Sequence, residues 1–504
     1  MKKSFILNLA VLFAAVMLSS CSKKFLELQP SGQFLESNYY QTPDEAFAGL
    51  VAAYDPLVTE TGGIDNTYSG PLGPLNAASD DCVAGGGGSS DMNTWQVWNN
   101  YTLTPAVGPE GEYWGINFTG VNRCNTILAK LSGVPGLSAD LSKRYTAEAK
   151  FLRAHYYFDL ERLFKNVPLI VTVLSSAEVY KQVQAAPADV YAQIEKDLTE
   201  AIPDLPPTVT SDENGRVTQG AAIALLGKVY LYEQKWPDAA TQLAIVNGPT
   251  PGGAATPIYG YQLMANFGDI FSPAHKFNSE SIFELSHTAS QNYSWGNWGS
   301  FKSNVYTQMI GPRNYNGPTY WAGWGFNPIT TQLVDAMKGD PRYPYTIVNI
   351  DSICVATGST YEHSYENTGY FIQKYAPLLQ YKSTTGTAEL NFPNDYIEIR
   401  LADTYLMEAE ALVNAGTNAA RAQSLLDAVR ARVGLASVPA TLDNIYNERR
   451  LELATEGHRW FDLVRTGRAA SVLAFKGFTA NKNELLPIPL KDMDNTQMKQ
   501  NPGY

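Results

Sequence analysis

Histidine and cysteine are scarce in this chain, at five and four of 504 residues. His155, His275, His287, His363 and His458 are scattered, with no HExxH and no other ligand spacing, so the sequence offers no zinc-hydrolase centre. Beyond Cys21, the cysteines Cys82, Cys124 and Cys354 match neither a zinc site nor a CxxC redox pair. They read as packing residues, with one disulfide and a spare thiol as the open alternative. GxSxG, the Walker GxxxxGK[ST] loop and GxGxxG are all missing. No cofactor is indicated. Positive charge is also in deficit: 37 basic against 49 acidic residues give −12, and no basic run follows the N-terminus. A nucleic-acid binder needs a cationic footprint for phosphates, so that class is excluded. After the first 20 residues no apolar run is long enough to span a bilayer. Finally, residues 285–334 contain no Asp or Glu.

What is present begins with a leader. MKKSFILNLAVLFAAVMLSSC opens on Lys2 and Lys3, continues apolar from Phe5 to Leu18 and ends in small residues, the plan of a secretory signal. LSSC at 18–21 resembles a bacterial lipobox, which makes Cys21 the acylated residue and residues 1–20 a cleaved signal peptide. Several acyl chains there anchor stably where one is marginal. The mature chain, with a charge of 35 − 49 = −14 once Lys2 and Lys3 leave, is expected to be lipid-anchored rather than integral.

At 44% apolar and 17% charged, the remainder is globular. In AEAKFLRAHYYFDLERLFK, residues 147–165, Ala149, Leu152, Tyr156, Leu160 and Leu163 recur at steps of three and four, the period of an amphipathic helix that must stop before Pro168. Residues 218–246 predict two helices with a turn around Lys235–Pro237, and residues 402–435 repeat that plan with the break at Gly416. The pattern is a degenerate tetratricopeptide one of helix, turn, helix. The fold class expected is mainly α: helix pairs form a scaffold, with little β and long irregular insertions near 60–112 and 250–395, in a single domain over 21–504.

The insertions hold the aromatics. Residues 291–326 contain ten: Tyr293, Trp295, Trp298, Phe301, Tyr306, Tyr315, Tyr320, Trp321, Trp324 and Phe326. TYWAGWGFNP at 319–328 sets four of them among Gly323, Gly325 and Pro328, where neither a helix nor a strand period fits, and so reads as a loop. Trp95 and Trp98 lie in the other insertion. Sugar rings present apolar C–H faces with hydroxyl rims, so a carbohydrate site needs flat rings beside amides and hydroxyls. Asn292, Ser294, Asn297, Ser300, Asn314, Asn316 and Thr319 supply the second. The alternative is that the rings pack a satellite core under the loops. A glycosidase would need two carboxylates across a bond. Asp80, Asp81 and Asp91 are the nearest acidic residues in the other insertion, and the adjacent pair would face opposite ways on an extended chain.

Several segments resemble the SusD/RagB family of outer-membrane lipoproteins in Bacteroidetes nutrient uptake. EAKFLRAHYYFDLERLFKNVPLI at 148–170, NERRLELATEGHRWFDLVRTGRA at 447–469 and LLPIPLKDMDNTQMKQNPGY at 485–504 carry the likeness, with KKFLELQP at 23–30 and YWGINFTGVNRCNTIL at 113–128 in support. The resemblance implies four tetratricopeptide-like helix pairs with inserted loops. It also implies non-catalytic glycan binding at the cell surface, in complex with a SusC-like TonB-dependent transporter. Peptide uptake on the same fold and a surface glycosidase are the alternatives. Trp95 and Trp98, after ASDD at 78–81, stand where the family places a glycan-contacting loop; Trp295, Trp298, Tyr320, Trp321 and Trp324 match only by region. Arg449, Arg450, Glu452, Glu456, Arg459 and Asp462 are then scaffold residues pairing among themselves or capping helices, and Trp114 and Trp460 are core. Family members sometimes hold calcium, so a metal is left open. Ser22, Lys23 and Lys24 after Cys21 depart from the acidic residues that often follow the lipidated cysteine in surface-exported members, so an outward-facing outer-membrane location rests on the family.

Overall fold

The computed structural model describes residues 39–61, 70–290, 294–295 and 304–504. The signal peptide, Cys21, Trp298 and the KKFLELQP segment lie outside these residues.

Helices dominate, and each begins where local chemistry satisfies its free N–H groups. Thr42 and Glu45 form a capping box on Pro43–Tyr54, Ser138 accepts from Leu141 N on Ala139–Phe164, and Thr218 accepts from Ala221 N on Gln219–Tyr232. The breaks expected in the two helix pairs are found. Gln219–Tyr232 and Trp236–Asn247 are separated at Lys235, with Pro237 in the first turn of the second helix. Leu401–Ala415 ends on Gly416 at φ +65°, the left-handed conformation that glycine adopts without a Cβ penalty, and Ala419–Arg432 follows.

These helices stack in chain order. Pro43–Tyr54 packs on Glu110–Lys130, which packs on Ala139–Phe164, then Pro187–Ala201, Gln219–Tyr232, Trp236–Asn247, Leu401–Ala415 and Ala419–Arg432. Sandwiching buries both sides of the middle members. On Ala139–Phe164 the polar side is therefore not solvated: Arg153 makes a bidentate pair with Asp197 at 2.7 and 2.8 Å, and Glu148 takes Arg144, Arg216 and the Tyr54 hydroxyl.

The expected insertions are less irregular than their composition. Residues 70–112 contain the helices Leu72–Ala78 and Asn93–Asn99. Residues 250–395 contribute Ser281–Leu285, which pairs antiparallel with Tyr396–Arg400, and Ile347–Asn349, which pairs with Tyr370–Ile372. β structure is confined to these two-stranded sheets and isolated bridges among the described residues. The main apolar cluster runs from Tyr40 to Ile488, so insertions and helix stack share one core. Cys82 and Cys124 are buried and Cys354 is half-buried, all as thiols. No helix of the described residues is long and apolar enough to cross a membrane.

Candidate functional site

Residues 319–329 form an extended ribbon threaded between three other stretches. Trp321 N donates to Pro377 O at 2.8 Å, Gly323 N to Pro312 O at 2.9 Å, Trp324 N to Gln308 O at 3.1 Å, Gly325 N to Gly311 O at 2.8 Å and Asn327 N to Ala84 O at 3.0 Å. The Gln308 side-chain amide donates to Ala322 O at 2.8 Å. This explains the glycines. A Cβ on Gly323 would sit 2.2 Å from the Gly311 carbonyl, so the two backbones touch only because neither residue has a side chain. Gly325 adopts φ +77°.

Tethering in this way sorts the side chains. Phe326 is buried and meets Trp95 at 5.1 Å, while Trp321 and Trp324 remain half-buried at the surface. Trp295, 45% exposed, lies almost parallel to Trp324, with ring centroids 6.3 Å apart and an interplanar angle of 22°. The Lys382 ammonium lies 3.9 Å from the centroid of the Trp321 ring. Trp295 and Trp324 thus form one near-parallel pair from two segments, and Trp321, also half-buried, lies under Lys382 at the start of the 382–387 loop. That loop has no motif to announce it. Its only sequence signal is a run of small hydroxylated residues, KSTTGT.

Three expected ligand contacts are corrected. Trp95 and Trp98 are 0% and 1% exposed. They sit three residues apart on one face of Asn93–Asn99, and that face points inward. Trp95 fills the space above Gly73, where a Cβ would lie 1.9 Å from its ring, and Trp98 packs edge-on against Trp460 at 5.3 Å. Tyr320 is also buried, in a satellite cluster with Tyr315, Ile350 and Phe371, and donates its hydroxyl to Gln373 Oε1 at 2.8 Å. None of the three offers a ring face to a ligand. Trp460 and Trp114 are core, as expected.

The carboxylates are committed elsewhere. Asp80 pairs with Arg459 at 2.8 Å and Asp81 with Arg450 at 2.7 Å, both buried. Burial pushes both carboxyls up. Hydrogen bonds and charge from Arg459 and Arg450 more than offset it for Asp80, which ends below its usual range, while Asp81 stays above. Asp91 Oδ2 accepts from Gly87 N at 2.7 Å and shapes the glycine run. Arg449 bridges Asp462 and Asp403, and Glu452 and Glu456 take Arg400, so the charged residues of 447–469 act within the scaffold. Among the described residues no three His, Cys, Asp or Glu side chains converge as a metal set. The arrangement supplies flat ring faces open to solvent, which suits holding a sugar chain.

Comparison with known proteins agrees with this geometry. A family model described as the SusD family matches residues 351–504, and one described as starch-binding associating with outer membrane matches residues 60–231. A solved laminarin-binding SusD-like protein is 48% identical, with 92% of this chain and 100% of that one covered and a TM-score of 0.88. Surface glycan-binding protein A from Bacteroides thetaiotaomicron, solved in complex with laminarihexaose, is 28% identical over 91% of this chain and 99% of its own, at a TM-score of 0.80. A SusD-like protein of Bacteroides ovatus is 26% identical over 90% of this chain and 81% of that one. The mainly helical stack, the insertions it carries and a 48% identity sustained along a whole relative lead to one conclusion: the chain belongs to the SusD family.

Proposed function

We propose that this protein is a non-catalytic, lipid-anchored glycan-binding protein of the outer membrane that holds glucan chains of the laminarin type on the surface formed by Trp295, Trp321 and Trp324. In this reading residues 21–504 act as a single unit, tethered through Cys21 and facing the cell exterior, and pass the captured oligosaccharide to a SusC-like TonB-dependent transporter. The observation that carries it is the near-parallel Trp295–Trp324 pair, in a stretch of chain that also bears half-buried Trp321 and contains no carboxylate from residue 285 to 334. Support for the ligand class comes from the relatives described as binding laminarin and laminarihexaose. A ring contact contributes about 1 kcal/mol, whereas micromolar binding needs about 8 kcal/mol, so several rings and flanking polar groups must act together.

The test is affinity electrophoresis of the mature protein through gels containing laminarin, with Trp321→Ala/Trp324→Ala alongside. Wild-type retardation that falls at least tenfold in the double variant is expected. Equal retardation of both would remove the site from this surface, and retention on peptides with none on glycans would replace the ligand class.

A further inference from the structure

Lys382 is held over Trp321 by the backbone on both sides of it. Trp321 N donates to Pro377 O at 2.8 Å and Leu379 N to Thr319 O at 3.0 Å, which straps the two segments together. Leu379–Tyr381 then forms one 3₁₀ turn, closed by Lys382 N to Leu379 O at 3.2 Å. On the far side the Ser383 hydroxyl donates to Ala289 O at 3.2 Å. The lysine therefore leaves a fixed base and ends with Nζ 3.9 Å from the indole centroid. Among the described residues that ammonium has no hydrogen-bond or ion-pair partner, and residues 285–334 contain no carboxylate that could draw it away. The pyrrole edge of Trp321 is sunk: its Nε1 is buried and meets no acceptor among the described residues. Trp321 as a whole is half-buried, with the ammonium over one face of its ring.

A sugar ring and an ammonium cannot occupy that face together. Both are attracted to it with similar strength, since an exposed cation–π contact is weak. We infer that Lys382 is a displaceable cover on Trp321, so that a neutral glucan gains this third ring only by expelling the ammonium. This rests on the glycan-binding reading above. It makes Lys382 a residue that sets affinity and selectivity: the seat is open to a ligand able to compete with a cation, and closed to weaker apolar contacts.

Calorimetric titration of the full mature chain with laminarin tests it, using Lys382→Ala, Lys382→Arg and Trp321→Phe. Lys382→Ala is expected to tighten binding about two- to fivefold, the factor that matches an exposed cation–π contact, and Lys382→Arg, which restores the cover, to leave it at the wild-type level. Unchanged binding by Lys382→Ala would overturn the cover, and weaker binding would overturn it and make the ammonium a direct contact to sugar hydroxyls, in both cases with the glycan reading intact. Acrylamide quenching of the Trp321 emission, taken as the difference from Trp321→Phe, examines the cover without ligand. Quenching that rises in Lys382→Ala supports it, and quenching that stays the same refutes it. If no variant binds laminarin the functional reading fails, and the quenching result still decides whether the lysine covers the ring.

Discussion

Lys476 shows what a single side chain does beneath the site. Its stem is half-exposed, but the ammonium turns inward and donates to Ala77 O at 2.5 Å, Cys82 O at 2.7 Å and Asn99 Oδ1 at 2.9 Å. Burial lowers its pKa to about 8. The folded state therefore holds the proton less tightly than the unfolded chain, and this contribution to stability increases as pH rises from about 8 to the usual lysine value near 10.4. Lys476→Met would leave two carbonyls and an amide oxygen without a donor. A loss of about 2–3 kcal/mol at neutral pH is expected in urea unfolding, and the difference between variant and wild type should be larger at pH 10 than at pH 7. At this scale the sequence was a partial guide. Trp460 and Trp114 were legible as core because they sit in strongly helical segments. Trp95 and Trp98 were misread as ligand contacts, although their spacing of three marks one face of a helix; the glycines around them suggested a surface loop. Tyr320 was misread because exposure along the ribbon is decided by what each ring meets, and Tyr315, Ile350 and Phe371 come from other stretches of chain.

Among the elements, the ribbon 319–329 is the one that carries Trp321 and Trp324 of the proposed surface. Gly323→Ala forces a methyl against the Gly311 carbonyl, with backbone on both sides and no flexible group to yield. Overpacking of this kind costs about 1–3 kcal/mol. Thermal unfolding should therefore occur a few degrees lower. Affinity for laminarin should fall as well, because Trp321 and Trp324 flank the strained residue, while an Ala at half-buried Gly88, where a Cβ meets nothing within 4 Å, should change neither. Helices were readable from periodicity and from their punctuation at Pro237 and Gly416. The strand Ser281–Leu285 was not, since five residues carry little period and the partner lies at Tyr396–Arg400. The ribbon reads from sequence only as a loop for a related reason. Its order comes from hydrogen bonds to residues 84, 308–312 and 377, which no local pattern announces.

Across the whole molecule, a buried ion network ties the insertion to the helix stack. Glu452, with no exposed side chain, accepts from Arg400 at 2.6 Å, from Arg342 at 2.8 Å and from Arg432; Arg400 also reaches Glu280 at 2.8 Å and Glu456 at 2.8 Å. Arg342 and Glu280 belong to the insertion, Arg400 ends the strand Tyr396–Arg400, Arg432 and Glu452 lie on the helices Ala419–Arg432 and Leu442–Glu452, and Glu456 is in the turn that follows. Burial raises the Glu452 carboxyl, but the three guanidinium groups overwhelm it and hold the group well below its usual range. The same competition leaves Glu398, held by His155, at about 2 and Asp462, held by Arg449 and Arg465, at about 2. Each folded pKa lies below the unfolded value. Stability from these groups is thus complete above about pH 5 and is lost as pH falls toward 2. Glu452→Gln, which removes one carboxylate charge from among three buried guanidinium groups, should cost about 3–5 kcal/mol at pH 7 and flatten the acid-induced loss of stability between pH 5 and 2. Denaturant midpoints of both proteins across that range check it; parallel curves would show that Glu452 is not held ionised by the network.

The sequence by itself determined the helix stack, its break points, the core helices of the scaffold and the family, because a period of 3.6, a cap or a terminating glycine is written within a few consecutive residues. The density of tryptophan and the missing carboxylates of residues 285–334 also pointed to the insertion in which the proposed surface lies. Only the tertiary structure decided which rings face outward, that Lys382 covers Trp321, and that the charges of residues 447–469 lock to partners such as Arg342, Arg400 and Asp81. Those outcomes depend on contacts between residues tens to hundreds of positions apart, and burial is a property of the packed neighbours rather than of the residue.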